Sequence, residues 1–167
     1  MKVALASCLA YRPRLIVMDE PFSGLDPLVR DELIECILHR AGEATVLISS
    51  HDLAEMESFA SHIGYLEAGQ LRFSEELSSL ASRFRQVEVV FGSPKQLPGE
   101  LPQSWTNLEI SDSTVRFIES RYDQGKTPSD ILRVFGDAGN ATYTPMSLRS
   151  IFLAIAKNAR AVSRRDA

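Results

Sequence analysis

Cysteine is scarce in this chain: only Cys8 and Cys36 occur, and no metal-ligand spacing joins them. That scarcity excludes a disulfide framework, and both residues read as small buried hydrophobes of a reducing compartment. No run of 18 apolar residues occurs, so the sequence offers no membrane-spanning helix. The opening MKVALASCLAYRP has too short an apolar stretch for a secretory leader, and it runs directly into a core-type strand. Positive charge is not in excess either. The formal net charge is −4, which argues against a general nucleic-acid binder. Lys157, Arg160, Arg164 and Arg165 near the end read as a solvated helix terminus. Internal repeats and low-complexity segments are absent. What is present is ordinary for a globular chain of one domain or a small pair: 167 residues, 44% hydrophobic and 24% charged.

Residues 2–10 carry a helical pattern that stops before Arg12-Pro13. Residues 14–18 then form a short branched apolar run, the pattern of a buried parallel strand. Asp26-Pro27 marks a helix start, with Asp26 as N-cap and Pro27 in the first helical position. Leu33, Ile34, Ile37 and Leu38 supply that helix with an apolar stripe, and Gly42 can end it. A second strand follows over 44–50, then His51 and a helix over 52–60. This alternation predicts an α/β fold with a largely parallel sheet. Residues 62–67 and 70–74, flanking Ala68-Gly69, read as a hairpin at the edge of that sheet, and 75–84 as a short helix. Composition then changes. A strand at 87–91, a Pro- and Gly-rich loop at 92–104, alternating runs at 106–111 and 114–119, and helices at 128–136 and about 147–160 suggest a small α+β module. The boundary is placed near 84–86, giving regions 1–84 and 85–167.

Ligands of open parallel sheets gather outside the carboxyl ends of the strands. The first strand delivers Asp19 and Glu20 there, and the second delivers His51 if the two run parallel. Consecutive side chains on an extended chain point oppositely, so the two carboxylates divide their work. One suits a hard metal, held directly or through water. The other suits orienting or deprotonating a water. Such a pair fits magnesium-dependent phosphoryl transfer, with His51 bonding a phosphate oxygen or the attacking water.

The whole stretch LIVMDEPFSGLDP (15–27), followed by ISSHD (48–52), resembles the ATP-binding subunits of ATP-binding cassette (ABC) transporters. LIVMDEP resembles the Walker B strand with its catalytic glutamate, SGLDP the D-loop, and SSHD the switch-histidine segment. ALASCLAYRP resembles the helix between the signature motif and Walker B, and YLEAGQLRFSEEL the hairpin closing the ATPase domain. MSLRSIFLAIAK resembles the family's terminal helix more loosely. The resemblance implies a partial P-loop NTPase-like parallel sheet with flanking helices, ATP and Mg²⁺ as ligands, and a sandwich dimer of two ATPase subunits. It implies Asp19 as the water-mediated metal ligand, Glu20 and His51 as catalytic residues, and His51 also on the γ-phosphate. Asp26 would lie in the nucleotide-binding interface and communicate across the dimer. A transmembrane transporter subunit and a cytoplasmic position at the inner face of the membrane are implied as well; nucleic acid is not.

The family's phosphate loop G-x-x-x-x-G-K-[ST], Q-loop and signature motif do not precede Asp19 within this sequence, which reads as the C-terminal portion of such a subunit. Gly125-Lys126-Thr127 imitates the end of a phosphate loop, but Ser120 stands where the first glycine belongs. Thr127, Pro128 and Asp130 read instead as a capping box. ATPase activity by this chain alone is therefore not expected. Three functions remain open: part of an ATP-hydrolysing export subunit, one half of a split ATPase completed by a second polypeptide, or a non-catalytic interaction or regulatory protein.

Overall fold

The structure is a computed structural model that describes residues 11, 13–40, 42 and 44–163, with backbone alone at 40 and 158–163. The expected helix over 2–10 with Cys8, and Arg164 and Arg165, lie outside these residues, as does the side chain of Arg160. Contacts divide the chain into two compact units between Phe59 and Ala60.

In the first unit, β1 (Leu15–Asp19) leads through a turn into α1 (Pro27–Arg40), then β2 (Thr45–Ser49) and α2 (Leu53–Phe59). β1 and β2 pair in parallel, with Ile16 opposite Val46 and Asp19 opposite Ser49. The two helix starts are built locally. The Asp26 carboxylate accepts the Val29 N–H at 3.1 Å, and the Asp52 carboxylate accepts the Ala54 N–H at 3.1 Å, each satisfying a donor that the first helical turn leaves open. Past α1, Gly42 takes a left-handed φ of 57°. Ile16, Phe22, Leu33, Ile37 and Met56 are buried, and Phe22 meets Phe59 edge-to-face at 5.7 Å. The apolar stripe of α1 is narrower than expected: Leu38 is exposed and Ile34 only half-buried. Cys36 is a free thiol, half-buried rather than buried. The sheet face carrying Leu15, Val17 and Leu47 is open, although such continuous apolar strands are normally covered on both sides.

The second unit opens with the hairpin β3 (His62–Glu67) and β4 (Gln70–Glu76), then α3 (Leu77–Arg83). Ala68 and Gly69 turn it with φ of 50° and 75°, the two positive values a tight hairpin turn requires. Within this unit the hairpin is a two-stranded antiparallel sheet. Its half-buried aromatics Tyr65 and Phe73 pack on Phe152 at 5.1 and 5.7 Å.

A four-stranded antiparallel sheet follows, ordered β6-β7-β5-β8. It comprises β5 (Arg85–Val90), β6 (Trp105–Ser111), β7 (Thr114–Glu119) and, after α4 (Lys126–Phe135), β8 (Asn140–Pro145); α5 (Leu148–Ser163) ends the unit. The expected boundary at 84–86 falls at the passage from α3 into β5. Val87, Val89, Phe91, Trp105, Val115, Phe117 and Ile131 form one buried cluster. β8 was not anticipated from the sequence, because its Thr-Tyr-Thr alternation exposes threonines instead of burying aliphatics. The cap of α4 also differs from expectation. Asp123, not Thr127, accepts the N–H groups of Gly125 and Lys126, at 2.9 and 2.8 Å. Thr127 is buried and its hydroxyl accepts the Asp123 N–H at 3.2 Å. The Gly-Lys-Thr triplet is thus the first turn of a helix.

Candidate functional site

Parallel pairing brings the carboxyl ends of β1 and β2 side by side, and the candidate residues gather there. Ser49 is the clamp. Its hydroxyl donates to Asp19 Oδ1 and accepts the Glu20 N–H at 3.0 Å; the same N–H lies 3.1 Å from the Ser49 carbonyl. One serine therefore orients the Asp19 carboxylate and holds the backbone of its neighbour. Its part was missed in the sequence reading, although its place beside Ser50 and His51 in ISSHD was the available signal.

Glu20 leaves the extended conformation, with φ at 46°. A non-glycine residue there costs on the order of 1–2 kcal/mol, and such strain clusters at functional sites. The simple alternation argued for Asp19 and Glu20 stops at this residue, but the two carboxylates still take different partners. Glu20 Oε2 lies 2.8 Å from His51 Nδ1. That hydrogen bond, and then the charge of the same carboxylate, raise the His51 pKa above its ordinary 6.5, with smaller contributions from Asp52 and Glu55.

The structure thus joins Asp19, Glu20, Ser49 and His51 in one hydrogen-bonded group. Asp26 is separate: past the turn through Gly24, whose φ is 75°, its carboxylate and carbonyl bond the first turn of α1. Behind the site, Arg30 of α1 pairs with Glu55 of α2 at 2.7 Å.

Among the described residues no cluster of three or more His, Cys, Asp or Glu side chains is placed to hold a metal ion. A lone oriented carboxylate suits Mg²⁺, which typically binds through one or two carboxylates, water and substrate phosphates. The donor set fits a magnesium ion shared with a phosphate ligand.

Comparison with known proteins supplies the family. A profile described as "AAA domain, putative AbiEii toxin, Type IV TA system" matches residues 3–57, the stretch holding all the candidate residues. The bacitracin transport ATP-binding protein BcrA of Enterococcus faecalis is 29% identical over 144 residues, covering 83% of this chain and 45% of that protein. The energy-coupling factor transporter ATP-binding protein EcfA of Methanothermobacter thermautotrophicus is 42% identical over 98 residues, covering 58% of this chain and 30% of that one. An uncharacterized ABC transporter ATP-binding protein of Alkalihalophilus pseudofirmus is 30% identical over 125 residues, covering 68% and 47%.

The chain is a relative of the ABC transporter ATP-binding subunits. It spans less than half the length of these curated ABC relatives. The BcrA alignment is long enough to reach beyond residue 84, so likeness to the ABC subunits extends past the ATPase-type segment.

Proposed function

We propose that this chain is part of the ATP-hydrolysing subunit of an ABC transporter and supplies the Walker B, D-loop and switch-histidine portion of its catalytic site. The observation that carries the reading is the joined pair of contacts at the strand ends, Ser49 to Asp19 and His51 to Glu20. In this proposal Asp19 faces magnesium through water, oriented by Ser49. Glu20 polarises the attacking water, and His51 holds that carboxylate and turns to the γ-phosphate. Asp26 fixes the D-loop by capping α1 and lies at the interface with a second ATPase subunit. Magnesium-bound ATP supplies the phosphoryl electrophile.

Residues 1–84 are the ATPase portion in this reading, and 85–167 an accessory module. A phosphate loop must come from further sequence, in the same polypeptide or in a second one. The open face of Leu15, Val17 and Leu47 supports that view, since exposed apolar surface of this kind is stabilised by being covered. Among the described residues no helix is long and apolar enough to cross a membrane; a transmembrane partner would anchor the assembly at the inner membrane face.

Fusing a segment that carries the motif G-x-x-x-x-G-K-[ST], taken from an ABC transporter ATP-binding subunit, ahead of this chain tests the proposal. The fusion is expected to hydrolyse ATP with magnesium, and Glu20→Gln to lower turnover by about 10²–10⁴, the range for loss of a general base. The chain alone is expected to show no saturable binding of a fluorescent ATP analogue. Turnover by a folded, nucleotide-binding fusion that Glu20→Gln leaves unchanged would defeat the assignment.

A further inference from the structure

A cavity of about 290 Å³ in the second unit is lined by none of the candidate ATPase residues. Its wall includes Glu119, Thr127, Arg121, Lys126, Asp130 and Arg133. The Glu119 side chain lies at its floor, only 2% exposed. Its Oε2 accepts the Trp105 indole N–H at 2.8 Å, and its Oε1 accepts the Arg121 backbone N–H at 2.7 Å. Each carboxylate oxygen can accept a further hydrogen bond. Among the described residues, however, no lysine, arginine or histidine forms an ion pair with Glu119. A buried carboxylate without a cation is unfavourable unless something else compensates it.

The complementary charges stand on the same wall. Arg121 and Lys126 are exposed and make no ion pair among the described residues, whereas Arg133 is engaged by Asp130 at 2.9 Å. The cavity therefore combines a buried carboxylate that has two hydrogen bonds but no cationic partner with two cations toward solvent.

These features narrow the ligand. A simple anion would meet Glu119, and the first N–H groups of α4 are already taken by Asp123. A metal ion would find only Glu119 and Asp130, the latter engaged by Arg133, and no cluster of three ligands among the described residues. A volume near the lower end of ligand pockets admits a small molecule only. We propose that this cavity binds a small zwitterion of α-amino-acid size, with its ammonium on Glu119 and its carboxylate on Arg121 and Lys126. The proposal rests on the second unit alone and stands independently of the ATPase reading.

Trp105 is the chain's single tryptophan, and its indole N–H bonds the carboxylate in question, so its resonance reports the site directly. The ¹⁵N-labelled full chain is titrated with L-alanine, methylamine and acetate. L-alanine is expected to shift the indole resonance saturably, with the two singly charged probes at least about tenfold weaker, since each lacks one of the two charge contacts. The double variant Arg121→Ala/Lys126→Ala leaves the buried pair untouched and is expected to weaken L-alanine binding at least about tenfold while the indole resonance stays in place. No saturable shift in a folded chain up to on the order of 50 mM L-alanine would overturn the proposal. Binding unchanged by the double variant would do the same, and so would acetate or methylamine binding as tightly as L-alanine.

Discussion

Replacing Gly139 with alanine perturbs two things at once, and the structure separates them. Gly139 has φ at 57°, and a Cβ built there lies 2.6 Å from Val89 Cγ1 and 2.9 Å from Phe91 Cδ1. Gly136, three residues earlier, has a similar φ of 69° but nothing within 4 Å of an added Cβ. Both substitutions pay the left-handed penalty of an L-residue, on the order of 1–2 kcal/mol. Gly139→Ala adds an overpacking cost of about 1–3 kcal/mol, because Val89 and Phe91 belong to the buried cluster and have no free side to move toward. The expected destabilisation is therefore about 2–5 kcal/mol for Gly139→Ala against about 1–2 for Gly136→Ala. Trp105 sits in the same cluster, so urea unfolding followed by its fluorescence reads the unit that carries both changes. Equal costs for the two variants, within about 0.5 kcal/mol, would refute the close approach of Gly139 to the sheet. A difference with Gly139→Ala the milder would refute it more strongly.

Two further predictions concern titration. The imidazole of His51 should titrate above 6.5 by NMR, because Glu20 favours its charged form, and Glu20→Gln should bring it back toward that value. Since the folded pKa is the higher one, the pair's stabilisation is complete below the unfolded pKa and lost as pH rises through the folded one; a wild-type midpoint at or below 6.5 would refute the contact. Asp123 behaves oppositely: hydrogen bonds from the Lys126 and Gly125 N–H groups hold its carboxyl below the usual range. Its stabilisation is present above the unfolded pKa and lost as pH falls through the folded one. Asp123→Ala should therefore lower the urea midpoint at neutral pH, with the two proteins converging in acid; a constant gap across that range would show that the cap acts without its charge.

Elements whose signal is local were legible in the sequence. Asp26-Pro27 starts α1 because one carboxylate satisfies its N–H donors, whatever lies beyond. The runs expected as strands at 14–18 and 44–50 form β1 (Leu15–Asp19) and β2 (Thr45–Ser49). Asp19, Glu20 and His51 were legible as a group from their positions at strand ends. Elements set by a choice between neighbours were less legible. Thr127 was expected to cap α4, but it is buried and Asp123 takes the N–H groups instead. β8 lacked the aliphatic alternation of a buried strand, so its pairing with β5 was visible only in three dimensions.

The sequence by itself determined the order of elements, the local caps and the chemistry carried to the ends of β1 and β2, since these depend on residues a few positions apart. The tertiary structure alone decided which partners those side chains take. Ser49 reaches Asp19 and His51 reaches Glu20 across 30 and 31 positions of chain, because parallel pairing aligns the two strand ends. Trp105 reaches Glu119 only because antiparallel pairing sets those residues opposite each other, and burial there leaves a glutamate held by hydrogen bonds without a cationic partner. Long-range contact and the exclusion of water are properties of the folded chain, and no local pattern of residues encodes them.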